Sequence, residues 1–111
     1  MKNLSYKQYL AESEKFRQAV TAYIKTRGYA VEHDELCHKI LDAIDQKSKA
    51  DADFRAEAYN YVTCHPNYKT IKLREICKEV GYDFWADKNS DMLRTSNAIN
   101  VIDTAHGYFG S

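Results

Sequence analysis

The chain is 111 residues long, carries no net charge, and has four glycines, one proline and three cysteines. That is the length of one domain, enough to bury a core without help from disulfides or metal. The neutral balance argues against a domain that lives on phosphate contacts, which is usually basic overall, and three is an odd number for a disulfide framework.

Few Gly and Pro and many Ala and Lys predict helices rather than strands. The expectation is an all-α fold, a compact bundle of four to five short helices forming a single helical domain over 1–111. The first helix opens at Ser5, with Gln8 three residues on as in a capping box, and Leu4 and Tyr9 placed for a hydrophobic staple. Tyr9, Phe16, Val20, Tyr23 and Ile24 keep helical spacing. Ser13 is the one polar interruption of that face, and a bond back to a carbonyl one turn earlier would satisfy it. Gly28 closes the helix, with Tyr29 placed to pack on Ile24.

The second helix is expected from about Glu32 to Lys47, with acids in its first turn, where the helix dipole favours them. Leu36, Cys37, Ile40, Leu41 and Ile44 form its apolar stripe. The polar stretch Asp45 to Asp53 contains the turn to the third helix, which runs to Cys64 and stops before Pro66. Its apolar face is Phe54, Ala58, Tyr61 and Val62. Thr70 caps a fourth helix, whose core face is Leu73, Ile76, Cys77 and Val80. A fifth is expected from Ser90 to His106, ending at Gly107. Three glycines are followed by tyrosine, at Gly28, Gly81 and Gly107, and each pair reads as a Schellman-type helix end.

Charge is unevenly spread. Residues 1–27 are net positive by four and residues 28–65 net negative by four. This predicts a basic first helix lying near acidic second and third helices, in preference to a basic face held out to nucleic acid. No apolar run reaches the ~7–15 residues of a signal core or the ~18–20 of a membrane span, so the expectation is a cytoplasmic protein with reduced thiols and no membrane partner.

Candidate chemistry is sparse. His33 and Cys37 share a helix face, and Cys64-His65 is a second Cys/His pair, but the spacing matches no common zinc pattern. Cys37 already belongs to an apolar stripe, the usual place for a free cysteine. No cysteine sits in a Gly-rich elbow, and the chain lacks a phosphate-binding loop, a HExxH pair and an acidic calcium loop. No catalytic residue, metal ligand or cofactor is assigned, and the expectation is a non-enzyme.

Thr70 to Tyr82 resembles the first half of a helix-turn-helix, with Ile76, Cys77, Val80 and Gly81 in the expected order. The second half departs from the pattern, because seven residues from Asp83 to Asn89 intervene where a tight motif allows three or four. On the DNA-binding reading Arg94, Thr95, Asn97 and Asn100 would be the readers, since Arg and Asn pair bidentately with guanine and adenine. Asp87, Asp91 and Asp103 near that face would repel phosphate.

Aromatic residues give the favoured reading. With nine tyrosines, four phenylalanines and one tryptophan, helix stripes and helix ends leave a remainder in turns and near the C-terminus. Phe84, Trp85, Tyr68, Tyr108 and Phe109 are the candidate partner-binding residues, because exposed aromatics are the usual anchors of interfaces. The functional expectation is a small, soluble, regulatory protein acting through a protein–protein surface. Short helical domains of this size are common as inhibitors or modulators of phage or mobile-element type. The partner is another protein, a second copy of the chain among the candidates. A DNA-binding transcriptional regulator using 70–106 is the alternative.

Overall fold

The computed structural model describes residues 4–63, 70–82 and 95–109, with the backbone alone at 70–72, 95–96 and 107–109. Five helices follow one another: α1 (Tyr6–Arg27), α2 (Val31–Ala50), α3 (Ala52–Thr63), α4 (Thr70–Glu79) and α5 (Thr95–Phe109). No strand occurs among the described residues. The protein is therefore an all-α bundle, and α1 lies against α2, α3 and α5 while α2 touches every other helix.

Helix ends follow local chemistry closely. Ser5 and Gln8 form the reciprocal capping box at the start of α1, and Leu4 and Tyr9 are both buried beside it. Gly28, at φ +70°, ends the helix. The Tyr29 N–H donates to the Ile24 carbonyl and the Gly28 N–H to Lys25, each at 3.1 Å, which is the Schellman pairing. Gly81, at φ +95°, ends α4 the same way, with Tyr82 bonded to Cys77 and Gly81 to Lys78. Only glycine takes such a φ without strain. The third Gly-Tyr pair behaves otherwise: α5 passes through Gly107 and runs to Phe109. Glycine inside a helix costs only about 1 kcal/mol, an amount that packing of the helix face can offset.

The α2–α3 turn falls within the polar stretch Asp45 to Asp53 as expected, but it is tighter: α2 continues past Lys47 to Ala50, and Asp51 alone separates it from α3. No glycine or proline is needed, because two side chains close the corner. The Asp51 carboxylate accepts the Phe54 N–H at 3.0 Å, capping α3. The Arg55 guanidinium then reaches back to the last carbonyls of α2, donating to Ser48 at 2.8 Å and Lys49 at 3.1 Å. Its remaining arm donates to the Leu4 carbonyl at 2.8 Å, pinning the chain's entry to α1 on the same corner. The Ser48 and Lys49 carbonyls are among those a helix end leaves unpaired.

One core joins all five helices. Val20, Ile40, Ile99 and Ile102 are wholly buried, with Leu73 and Ile76 of α4 beside them in the same cluster. The apolar stripes expected for α1 to α4 all reach this cluster, Val62 and Val80 as partly buried members. In α5, Ala98 and Val101 join Ile99, Ile102 and Ala105.

Candidate functional site

Among the described residues four polar ones are buried: Ser13, Asp45, Ser48 and His106. Buried polar groups need partners, and the partners of Asp45 build a hydrogen-bonded cluster across α1 and α2. Asp45 Oδ1 accepts the Tyr9 phenol at 2.6 Å and the Ser13 hydroxyl at 2.8 Å. Its Oδ2 accepts Arg17 Nη2 at 2.8 Å. The same Nη2 also donates to Asp42. Ser13 is therefore not bonded back along its own helix; it donates across to α2. The Ser48 hydroxyl lies beside the Tyr9 phenol without meeting hydrogen-bond geometry.

This is where the segregated charges of the sequence meet, Arg17 of the basic helix between two acids of the acidic one. Burial opposes the Arg17 charge, but the bonds from Asp45 and then Asp42 outweigh it and hold its pKa above the ordinary value. Tyr9 is pushed up as well, first by burial and then by the Asp45 charge. It stays a neutral donor.

The seam continues toward solvent. Arg17 Nη1 lies 3.2 Å from His38 Nδ1, and Thr21 Oγ lies 2.7 Å from His38 Nε2. Asp34 Oδ1 is 3.1 Å from Thr21 Oγ and 3.2 Å from His38 Nε2. A hydroxyl, an imidazole and a carboxylate in contact invite comparison with a nucleophile, a base and an orienting acid. The proton positions refute it. A guanidinium has only donors, so His38 Nδ1 must accept from Arg17 and the ring proton is assigned to Nε2. Nε2–H then donates to Thr21, and Thr21 donates onward to Asp34. His38 gives a proton toward Thr21 and cannot take one from it. An open depression of about 420 Å³ lies over this end of the seam, lined by Glu14, Arg17, Gln18, Thr21, Lys25 and His38.

The thiols are equally committed. Burial, with a smaller push from Asp34, raises Cys37 to about 12, and burial with Cys37 nearby raises Cys77 to about 12. Thiols so placed are poor nucleophiles at neutral pH. Cys37 Sγ faces the Ala98 carbonyl at 3.7 Å. His33, its suggested zinc partner, instead stacks on Tyr29 with centroids 5.1 Å apart; Cys64 and His65 lie outside the described residues. No group of three or more His, Cys, Asp or Glu among the described residues is arranged to hold a metal. His106 is buried flat against Tyr61 with centroids 4.4 Å apart, its Nε2–H donating to the Tyr61 carbonyl at 2.7 Å. The Tyr61 phenol donates to Asp103 at 3.1 Å. Asp103 is thus tied to the α3–α5 contact.

Of the aromatic set expected to bind a partner, Phe84, Trp85 and Tyr68 lie outside the described residues. Tyr108 and Phe109 fall in the last turn of α5, described in backbone only. Of the four DNA-reading candidates, Asn97 and Asn100 are exposed on α5, Thr95 is its first residue with backbone alone described, and Arg94 lies outside. The Asp45 cluster was not among the expected sites. Its signal was present as spacing: Ser13, Arg17 and Thr21 recur every four residues on α1, and Asp34, His38, Asp42 and Asp45 recur every three or four on α2.

No family model, curated relative or solved structure matches the chain. No helix among the described residues is long and apolar enough to cross a membrane.

Proposed function

We propose that this is a small non-enzymatic binding or regulatory protein that works through a protein–protein surface in a reducing compartment. What supports the reading is how the side chains capable of chemistry are used. Asp45 is saturated by three donors, His38 is held between Arg17 and Thr21, and both described thiols are buried and protonated. Each is spent on holding helices together, which leaves the outer surface to carry the function. The aromatic set Phe84, Trp85, Tyr68, Tyr108 and Phe109 is the proposed contact, on the general preference of interfaces for such anchors.

The test is the double substitution Phe84→Ala/Trp85→Ala. A partner captured from the native cell by the parent chain should be lost by the variant while helical circular dichroism is unchanged. Retention of the partner by a folded variant would remove this surface from consideration.

Exposure of Asn97 and Asn100 favours the DNA-binding regulator as a second reading. On it, Arg94→Ala weakens duplex binding and lowers the salt slope by about one. Absence of duplex binding at ~50 mM salt ends that reading.

A further inference from the structure

The two Schellman ends share chemistry but not environment. Tyr82, after Gly81, packs against the core, as the residue after such a glycine commonly does. Tyr29, after Gly28, is 42% exposed, and Val31 beside it is 64% exposed. They are the only large hydrophobics exposed among the described residues. They lie within a run from Lys25 to Glu32 in which every residue is exposed. Tyr29 is not loose there. Its ring stacks on His33 at 19° and tilts against Tyr23 at 6.3 Å, so it is held in place before anything binds. A prepositioned aromatic loses little entropy when an interface forms.

Charge brackets this apolar pair with opposite signs. Lys25 and Arg27 end α1 on one side; Glu32 and Glu35 begin α2 on the other. None of the four makes an ion pair among the described residues, in contrast to Arg17, Asp42 and Asp45. A patch with a basic flank, an apolar centre and an acidic flank is complementary to itself when turned by a two-fold axis through the centre.

We infer that the α1–α2 corner binds a second copy of this chain, Tyr29 and Val31 meeting their counterparts while Lys25 and Arg27 face Glu32 and Glu35 of the other molecule. The patch is small beside the roughly 800 Å² per partner of a stable interface, so the dimer is weak, concentration-dependent and sensitive to salt. None of these residues belongs to the aromatic set proposed above, and neither proposal depends on the other.

Sedimentation velocity from about 10 µM to 1 mM, a range that brackets weak association, provides the test. At low salt the parent chain should shift from monomer to dimer across that range, and the shift should shrink as salt is raised. Val31→Asp should hold the chain monomeric throughout, and Val31→Ser should weaken association, with unchanged circular dichroism for both. Lys25→Glu/Arg27→Glu alone and Glu32→Lys/Glu35→Lys alone should each self-associate less than the parent, while their equimolar mixture associates again. Restoration in the mixture cannot come from a general effect on folding. A parent chain that stays monomeric at about 1 mM, a dimer indifferent to Val31→Asp, or folded charge variants that fail to recombine would each overturn the inference.

Discussion

Two seams meet along α2 and are built from different materials. The seam with α1 is polar at its centre: Arg17, Asp42, Asp45, Tyr9 and Ser13 form one hydrogen-bonded cluster. The seam with α5 is dry, formed around Ile40, Cys37, Ala98, Ile99 and Ile102, with Cys77 of α4 nearby. Directional bonds to one carboxylate accept a single rotation and height of α1 on α2. Apolar contact is non-directional and scales with area. The polar seam therefore fixes register and the dry seam supplies driving force, and the two should answer differently to substitution.

The largest expected effect is at the polar seam. Asp45→Ala strands two buried hydroxyls and takes from the half-buried Arg17 one of its two carboxylates, and should cost about 3–5 kcal/mol in urea unfolding. Replacing the pair together, as Arg17→Met/Asp45→Leu, should recover only part of that stability, because the charge leaves with its partner while the Tyr9 and Ser13 hydroxyls stay without an acceptor. A cost below about 1 kcal/mol for Asp45→Ala, the range of an exposed pair, would show the cluster to be surface-like and dissolve the contrast. At the dry seam the response should be graded with volume. Ile99→Ala is expected to cost about 2–5 kcal/mol and Ile99→Val about 0.5–1.5 kcal/mol. A valine variant as damaged as the alanine one would mean that shape, not burial, governs that seam.

Arg55 tests the corner that both seams depend on. Arg55→Ala unpairs the carbonyls of Ser48, Lys49 and Leu4, with an expected loss of about 1–3 kcal/mol and faster amide exchange at the end of α2. Arg55→Lys should recover only part of it, since one ammonium cannot span three carbonyls in the guanidinium's fork.

The thiols give a smaller, pH-dependent effect. Cys37 and Cys77 are raised from 9.0 to about 12, so the fold favours their neutral form. Their contribution is complete below pH 9 and is lost as pH rises from there toward 12. Melting temperature should fall across that window, and less steeply in Cys37→Ala/Cys77→Ala. Tyr9 and Tyr61, also raised first by burial, act in the same direction from about pH 10. Rapid modification of either thiol by a disulfide reagent in the native state at neutral pH would contradict the burial.

The smallest effect concerns proton position rather than stability. Nitrogen NMR of His38 should report the proton on Nε2 and a bare Nδ1. In Arg17→Met the ring is free to change tautomer, and an unchanged spectrum there would show that Arg17 does not set it.

Much of the fold was legible before any tertiary contact was known. Ser5-x-x-Gln8 announced the start of α1, and Gly28 and Gly81 announced two helix ends, because caps are chemistry between neighbours in sequence. Stripes such as Phe54, Ala58 and Tyr61 were legible because a helix must bury one face. The candidate site was far less so. Ser13 and Asp45 each looked like an ordinary polar residue, one on an apolar face and the other at the start of a polar stretch. Each owes its role to the other, thirty-two residues away. His106 continues the spacing of Ile99 and Ile102, yet its burial needed Tyr61 to stack on it and Phe16 to meet it edge-on.

What the sequence determined alone, then, is the number of helices, most of their ends and the faces they bury, since propensity, capping and periodicity act within a few residues. Tertiary structure decided the rest. It carried α2 to Ala50, because Arg55 returns from α3 to satisfy its last carbonyls. It ran α5 through Gly107, where the letters alone suggested a stop. It also gathered scattered charges into one cluster around the buried Asp45, because a carboxylate can leave water only when donors meet it.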